Sequence, residues 1–243
     1  TTALTVTPAA LTVNVTSDSK TYDGNAYAGG AGVSYAGFLN GDNATVLSGT
    51  TTYAGSSQGA LHVGSYILTA NGQTATNYTL SYTPGALTVS PKTITATLTA
   101  NDKVYDGTTT ATGTLTLNGL VGSETLGKTF AAAFNSKDVA SANLVTASSV
   151  QLSDGSGRAA NYVLGSGQTA SARITPLSVN VTGVSAVGRV YDATTRATLT
   201  GTPVMTTIAG AGDAPVVAGT ALAVFGDANA AANKPVTVTG YSL

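Results

Sequence analysis

Hydrophobic and polar residues alternate strictly along three short stretches of the chain, and each stretch follows a proline. These stretches contain Leu11, Val13 and Val15 after Pro8; Ile94, Ala96 and Leu98 after Pro91; and Leu177, Val179 and Val181 after Pro176. Thr, Asn and Ser occupy most of the positions between them. A period of two is typical of a strand that buries one face and exposes the other. We therefore predict a β-strand after each of the three prolines.

Two further patterns recur in the same order. A cation-x-Tyr-Asp element occurs as Lys20-Thr21-Tyr22-Asp23-Gly24, Lys103-Val104-Tyr105-Asp106-Gly107 and Arg189-Val190-Tyr191-Asp192-Ala193. An Asn-Tyr-x-Leu element follows later as Asn77-Tyr78-Thr79-Leu80 and Asn161-Tyr162-Val163-Leu164. Several landmarks that keep one order indicate tandem copies of a single module.

The landmarks predict the module boundaries. We assign residues 1–8 to the closing strand of a preceding repeat, 9–90 to module 1, 91–175 to module 2 and 176–243 to module 3. Module 3 is expected to be truncated at its C-terminal end, because no Asn-Tyr-x-Leu element follows Tyr191. Each complete copy is much longer than the coil of a β-solenoid, which has ~20 residues.

The fold class predicted for each module is an all-β, Ig-like small sandwich. In module 2 the expected strands are 93–99, 103–105, 110–117, 129–134, 144–149, 161–164 and 169–174. A β-grasp-like sheet is the alternative, with short helical turns at Ala131–Ala133 or 227–233. Modules are joined through a single proline, which restricts the backbone, so we expect them to form a semi-rigid rod.

Composition narrows the functional classes. Charged residues make up 9 % of the chain, against roughly 25 % in an average globular domain. The formal net charge is −1. We find no basic cluster for nucleic acid and no apolar run of the ~20 residues that a membrane-spanning helix needs. Cysteine is absent. We therefore predict neither nucleic-acid binding nor membrane insertion, and no cofactor, metal ion or catalytic residue.

The repeated motifs have a structural explanation. An Asp side chain can accept the backbone N–H two residues further on, and glycine allows a positive φ. The tyrosine ring can pack at the edge of the core while its hydroxyl finds a polar partner. We therefore regard as structural Lys20, Tyr22, Asp23, Gly24, Asn77, Tyr78, Lys103, Tyr105, Asp106, Gly107, Asn161, Tyr162, Arg189, Tyr191 and Asp192. Because alanine disfavours a positive φ, Ala193 is expected to have ordinary backbone angles.

Two chemical alternatives use the same regions. Residues 55–59 match G-x-S-x-G around Ser57, and His62 lies nearby, but a nucleophile elbow needs a strand–turn–helix context. A chance match in a Gly/Ser-rich loop explains them better. Intramolecular isopeptide bonds are a second alternative, with the sets Lys20, Asp23, Asn77 and Lys103, Asp106, Asn161. Arg189 replaces the lysine in module 3, which weakens that hypothesis.

The order of these motifs resembles that of the YDG and MBG-type repeats of very large bacterial surface proteins. Those proteins include filamentous-haemagglutinin-like adhesins exported by two-partner secretion. Phe38-Leu39-Asn40-Gly41-Asp42 and Val63-Gly64-Ser65-Tyr66 also resemble family elements. The resemblance implies a secreted or cell-surface stalk whose partners are neighbouring repeats, and which presents a distal binding domain. The substitution of Ala193 for the motif glycine departs from the pattern.

Two other functions remain open. Module 1 contains Tyr27, Tyr35 and Tyr53, which lack clear counterparts in the other copies and are candidates for contact with host or matrix glycans or proteins. Alternatively, the modules self-associate through sheet edges and provide cohesion in a biofilm matrix. Module 3 is expected to expose such an edge, and residues 1–8 of a neighbouring molecule could fill it.

Overall fold

The computed structural model of the chain describes residues 3–205 and 216–242, and these residues are almost entirely β. The all-β prediction is confirmed. Helical structure in the described ranges is limited to two 3₁₀ turns, Ala44–Val46 and Ala159–Asn161. Each turn has three residues, so neither approaches the length of an apolar helix that crosses a membrane.

Module 1 consists of seven strands in two sheets. The strands are β1 Ala9–Val15, β2 Asp18–Thr21, β3 Val33–Ala36, β4 Thr52–Ala54, β5 Gly64–Asn71, β6 Tyr78–Thr83 and β7 Gly85–Ser90. One sheet has the order β3-β1-β6, and the other has the order β2-β7-β5-β4. Val15 of the first sheet packs with Leu68 and Ala70 of the second, and Val33 and Tyr53 close the same cluster. Module 1 is thus a small sandwich, as the alternating pattern predicts.

The first and last strands of module 1 run side by side in the same direction. β1 pairs with β6 in parallel from Ala9↔Tyr78 to Asn14↔Thr83. After a break in both strands, β2 pairs with β7 in parallel from Asp18↔Leu87 to Thr21↔Ser90. Both chain segments therefore cross from one sheet to the other together.

Module 2 repeats this arrangement. Its strands are β8 Lys92–Ala100, β9 Lys103–Val104, β10 Gly113–Asn118, β11 Leu126–Phe134, β12 Leu144–Asp154, β13 Tyr162–Leu164, β14 Thr169–Ser171 and β15 Ile174–Thr175. The parallel pairs are β8 with β13 and β9 with β15. The helical turn expected at Ala131–Ala133 is wrong, because these residues lie inside β11. Their alternating exposure fits a strand with one buried face.

Module 3 has four described strands: β16 Val181–Val187, β17 Thr198–Met205, β18 Leu222–Phe225 and β19 Val236–Thr239. β16 pairs antiparallel with β17 across a bulge, and β18 forms a hairpin with β19. Residues 227–233 connect β18 to β19 without a helical turn, so the second helical turn expected for a β-grasp fold is also wrong.

Contacts between Cα atoms divide the chain into two compact units. The first comprises Thr1–Leu98, Leu115–Ala131 and Ala147–Gln168, and the second comprises Thr99–Thr114, Ala132–Thr146 and Thr169–Leu243. The first unit therefore contains module 1 together with part of module 2. One hydrophobic cluster in this unit combines Leu87 and Val89 of module 1 with Ile94, Leu126 and Tyr162 of module 2.

Candidate functional site

The Asp of each repeated element forms the expected turn. A side-chain oxygen of Asp23 accepts the backbone N–H of Asn25 at 2.9 Å. The same distance is found from Asp106 to the N–H of Thr108, and from Asp192 to the N–H of Thr194. The prediction of an Asx turn is confirmed in all three modules.

The cation that precedes each turn closes it. Lys20 Nζ lies 2.7 Å from Asp23 Oδ1, and Lys103 Nζ lies 2.7 Å from Asp106 Oδ1. Arg189 makes the corresponding ion pair with Asp192 at 2.5 Å. The Lys103 ammonium and the N–H of Thr108 lower the pKa of Asp106 to about 2. The cation, which also donates to the carbonyl two residues after the Asp, therefore acts as a clamp on the turn.

The residue after the Asp has a left-handed backbone in every copy. The φ angles are +77° at Gly24, +76° at Gly107 and +64° at Ala193. The expectation of ordinary angles at Ala193 is wrong. The Asx turn and the arginine clamp hold this position in the left-handed region, and the alanine takes on the strain that a Cβ creates there.

The tyrosines of the three elements have different surroundings. Tyr22 retains 3 % exposure, whereas Tyr191 is 63 % exposed. Tyr105 is half-buried. The turn that follows the tyrosine is the same in each copy, so burial of Tyr22 depends on what packs against it.

Tyr22 is buried by residues of module 2. Its hydroxyl donates to Glu124 Oε1 at 2.5 Å, and the hydroxyl of Tyr162 donates to Glu124 Oε2 at 2.5 Å. The two rings meet edge to face, with centroids 5.4 Å apart. Burial and the Glu124 carboxylate raise the pKa of Tyr22 to about 12. We call Tyr22, Glu124 and Tyr162 the tyrosine joint.

Asn161, the residue before Tyr162, extends the tyrosine joint. Asn161 is only 1 % exposed, and its Oδ1 accepts the backbone N–H of Val63 at 3.1 Å. Its Nδ2 lies 3.0 Å from His62 Nδ1. Because the amide Nδ2 of Asn161 carries hydrogens and can only donate, His62 Nδ1 is the acceptor of this hydrogen bond. The late Asn-Tyr element of module 2 thus binds module 1 through both of its residues.

The side chains that an isopeptide bond or a hydrolase site would use are engaged in other contacts. Asn161 is bonded to His62 and Val63, while Asn77 is exposed. Lys20 and Lys103 are each bonded within their own turn. Ser57 is fully buried, and Gln58 Nε2 donates to its hydroxyl at 3.1 Å. The isopeptide and hydrolase hypotheses gain no geometric support from this arrangement.

Module 1 contains a constellation equivalent to half of the tyrosine joint. The hydroxyl of Tyr78 donates to Asp42 Oδ2 at 2.7 Å and accepts the N–H of Leu39 at 3.1 Å. In module 2, Tyr162 donates to Glu124 and accepts the N–H of Val121 at 3.0 Å. In both copies the carboxylate follows the N–H donor by three positions. Neither acidic residue belongs to a repeated motif of the sequence, although an alignment of the two mid-module turns pairs Asp42 with Glu124.

The three tyrosines that were candidates for ligand contact are half-buried within module 1. The Tyr27 hydroxyl donates to Asp18 at 2.6 Å, and the Tyr35 hydroxyl accepts from Gln73 Nε2 at 2.6 Å. The Tyr53 ring packs over Gly30, where an added Cβ would lie 2.3 Å from the ring. Each ring has a packing role, and contact with a ligand remains a prediction.

Across residues 3–205 and 216–242, no three His, Asp or Glu side chains lie in an arrangement that could hold a metal ion. Three successive segments of the chain, residues 7–85, 90–172 and 175–243, match the family model of the YDG domain. The chain belongs to the YDG domain family. No curated protein and no solved structure matches it.

The tyrosine joint combines one end of module 1 with the opposite end of module 2. One end carries the Tyr-Asp-Gly turn, which we call the turn end. The other carries the mid-module carboxylate with the late Asn-Tyr pair, which we call the carboxylate end. In module 1 the turn end is occupied by the carboxylate end of module 2.

Proposed function

We propose that this chain is a spacer segment of a large secreted bacterial surface adhesin, in which tandem YDG modules hold a distal binding domain away from the cell. The observation that carries the proposal is the tyrosine joint between modules 1 and 2. A spacer must transmit the orientation of one module to the next, and this joint restrains that orientation through buried contacts.

Three features support a fixed joint. The strand β7 passes into β8 through Pro91 alone, so the connection has almost no slack. Apolar side chains from both modules form one buried cluster. Gly24 approaches the partner module so closely that an added Cβ would lie 2.6 Å from Val121 Cγ1. Flexible linkers lack all three features.

A distance measurement within this pair of modules tests the proposal. The chain has no cysteine, so Thr45→Cys and Thr129→Cys would carry spin labels at two exposed sites. We expect a narrow distance distribution in the full chain and a broader one after Tyr22→Ala. A broad distribution in the otherwise unsubstituted chain would show that the joint is flexible and would contradict a spacer role.

Small-angle scattering and a glycan array complete the test. A spacer predicts an elongated particle and no specific glycan binding. A compact particle argues against the spacer. Specific binding lost on substitution of Tyr27, Tyr35 or Tyr53 would favour the adhesive alternative instead.

A further inference from the structure

Three Asn-Gly pairs lie on the surface of the protein, and this pair of residues can react without an enzyme. They are Asn40-Gly41, Asn71-Gly72 and Asn118-Gly119. The backbone nitrogen of the glycine can attack Cγ of the asparagine side chain, because glycine has no Cβ to hinder the approach. Asparagine is accordingly one of the thermolabile residues of proteins. Local structure decides which of the three pairs reaches the geometry of attack.

Asn71 and Asn118 are held in sheets. Each is the last residue of a strand, β5 or β10. Thr52 Oγ1 donates to Asn71 Oδ1 from the neighbouring strand, and Asn118 Nδ2 donates to Thr97 Oγ1 at 3.0 Å. The side chains are thus bonded and the backbone is part of a ladder. Attack at either residue therefore requires that the end of a strand opens first.

Asn40-Gly41 lies in an exposed turn after β3. One backbone hydrogen bond closes this turn, from the N–H of Asp42 to the carbonyl of Leu39 at 2.9 Å. In the part of the chain that the structure describes, the Asn40 side chain makes no hydrogen bond. An added Cβ at Gly41 would meet no atom within 4 Å, so no neighbour packs against the glycine. Both reacting groups can therefore move once a single bond opens.

The position of Asn40 stays open in a module that takes part in the tyrosine joint. The alignment that pairs Asp42 with Glu124 places Gly122 of module 2 opposite Asn40. Gly122 has a φ of +53°, close to the +52° of Asn40, and is exposed although Glu124 of the same turn binds module 1. An added Cβ there would also meet no atom within 4 Å. Access to this position is thus independent of whether another module is docked.

We propose that Asn40 is a site of spontaneous deamidation. The Gly41 nitrogen attacks Cγ of Asn40, a new C–N bond forms, and the bond from Cγ to the side-chain nitrogen breaks. That nitrogen leaves as ammonia and takes the proton that the Gly41 nitrogen loses. Water then opens the resulting succinimide at one of its two carbonyl carbons. The product at position 40 is an aspartate or an isoaspartate.

The reaction alters the turn that holds Tyr78. The hydroxyl of Tyr78 accepts the N–H of Leu39 at 3.1 Å and donates to Asp42 at 2.7 Å, and these residues flank the reacting pair. An isoaspartate adds one carbon to the main chain between the two partners, and either product adds a negative charge near Asp42. Isoaspartate formation therefore changes the spacing of the partners and loosens the attachment of β6 to the turn. The proposal concerns a modification site and does not depend on a spacer role.

Peptide mass spectrometry of the full chain, incubated at mildly alkaline pH, tests the site. Free energies of local opening rise from exposed loops to sheet strands, so we expect Asn40 to react about tenfold faster than Asn71 and Asn118. Incubation in concentrated guanidinium chloride is the control, because unfolding removes the protection and the three rates should converge. Asn71 or Asn118 reacting as fast as Asn40 in the folded chain overturns the proposal, as does an Asn40 that reacts only in the denaturant.

Thermal melting of fresh and incubated protein tests the consequence. Asn40→Gly is the matched variant, because module 2 carries glycine at this position with the same backbone. We expect the melting temperature of the unsubstituted chain to fall as the isoaspartate accumulates, and that of Asn40→Gly to stay constant. Fresh Asn40→Asp carries the charge without the longer main chain and should melt above the incubated chain. An equal fall in Asn40→Gly, or no fall in the modified chain, contradicts a loosened turn.

Discussion

The hydroxyl of Tyr22 lies 2.5 Å from Oε1 of Glu124, 102 positions further along the chain. Glu124 receives a second short hydrogen bond from Tyr162 on its other oxygen. Each oxygen of the Glu124 carboxylate accepts a hydrogen bond from a phenol hydroxyl of a different module. Glu124 therefore links the two modules, and both of its oxygens have a hydrogen-bond donor. Hydrogen bonds to a charged group contribute more than neutral ones, about 1.5–3 kcal/mol each.

Removal of one hydroxyl should therefore weaken the tyrosine joint measurably. For Tyr22→Phe we expect the free energy of unfolding to fall by about 2 kcal/mol, since the ring stays packed and only the bond to Glu124 is lost. Urea denaturation followed by circular dichroism measures the change. Tyr191→Phe is the control, because the Tyr191 side chain is largely exposed. Equal effects of the two substitutions would show that the hydrogen bond from Tyr22 to Glu124 stabilises the fold no more than an exposed hydroxyl does.

Alkaline pH should destabilise the same joint. The pKa of Tyr22 is raised from 10.0 to about 12 by burial and by Glu124. Above pH 10 the unfolded chain releases this proton and the folded chain keeps it, so the unfolded state is favoured as pH rises. The contribution is fully present below pH 10 and is lost between pH 10 and about 12. Thermal melting across this window should show a smaller loss in Tyr22→Phe than in the unsubstituted chain.

Gly24→Ala should separate the strain of the turn from contact with the next module. At φ +77° an alanine is strained, and its Cβ would also meet Val121 Cγ1 at 2.6 Å. We expect a loss of about 2 kcal/mol, as the left-handed backbone costs an alanine roughly 1–2 kcal/mol and the contact adds to this. The double variant Gly24→Ala, Val121→Ala should recover part of the loss in urea denaturation. No recovery would assign the whole effect to backbone strain.

The reverse substitution in module 3 should stabilise the protein. Ala193 has a φ of +64°, and Ala193→Gly removes the clash of its Cβ with the backbone. We expect the free energy of unfolding of module 3 to rise by about 1 kcal/mol. The greater entropy of glycine in the unfolded chain offsets part of this rise. Ala197→Gly, at a buried position in the same module, is the control and should destabilise. A loss of stability in Ala193→Gly would mean that the left-handed backbone carries no strain.

The alternating pattern correctly predicted the first strand of modules 1 and 2, because burial on one face leaves a trace in each sequence segment. The strand predicted directly after Pro176 is wrong, since residues 177–180 lie outside any strand and β16 begins only at Val181. Leu11, Val13 and Val15 are all buried, as their spacing indicates. The Asx turn was predictable for a similar reason, since Asp23 and Asn25 are close in sequence. Local periodicity and local hydrogen bonds can be inferred from the residues that make them.

The parallel pairing of first and last strands could not be inferred in this way. Nothing in the sequence of β1 distinguishes β6 from another neighbour, because pairing across a sheet is set by the packing of the whole module. The partner of Tyr22 was missed for the same reason: Glu124 is an isolated acidic residue in a turn. The backbone of Ala193 departs from the preference of alanine because the ion pair and the turn of Asp192 hold it in the left-handed region.

The parallel register of β2 and β7 has a consequence for mechanical resistance. The chain enters module 1 through β1 and leaves it through β7, and β2 and β7 are hydrogen-bonded neighbours that run in the same direction. Tension applied to the two ends of the module therefore slides these strands past each other. All of their hydrogen bonds are loaded together in shear and must break at once, whereas a hairpin pulled at its open end unzips one bond at a time.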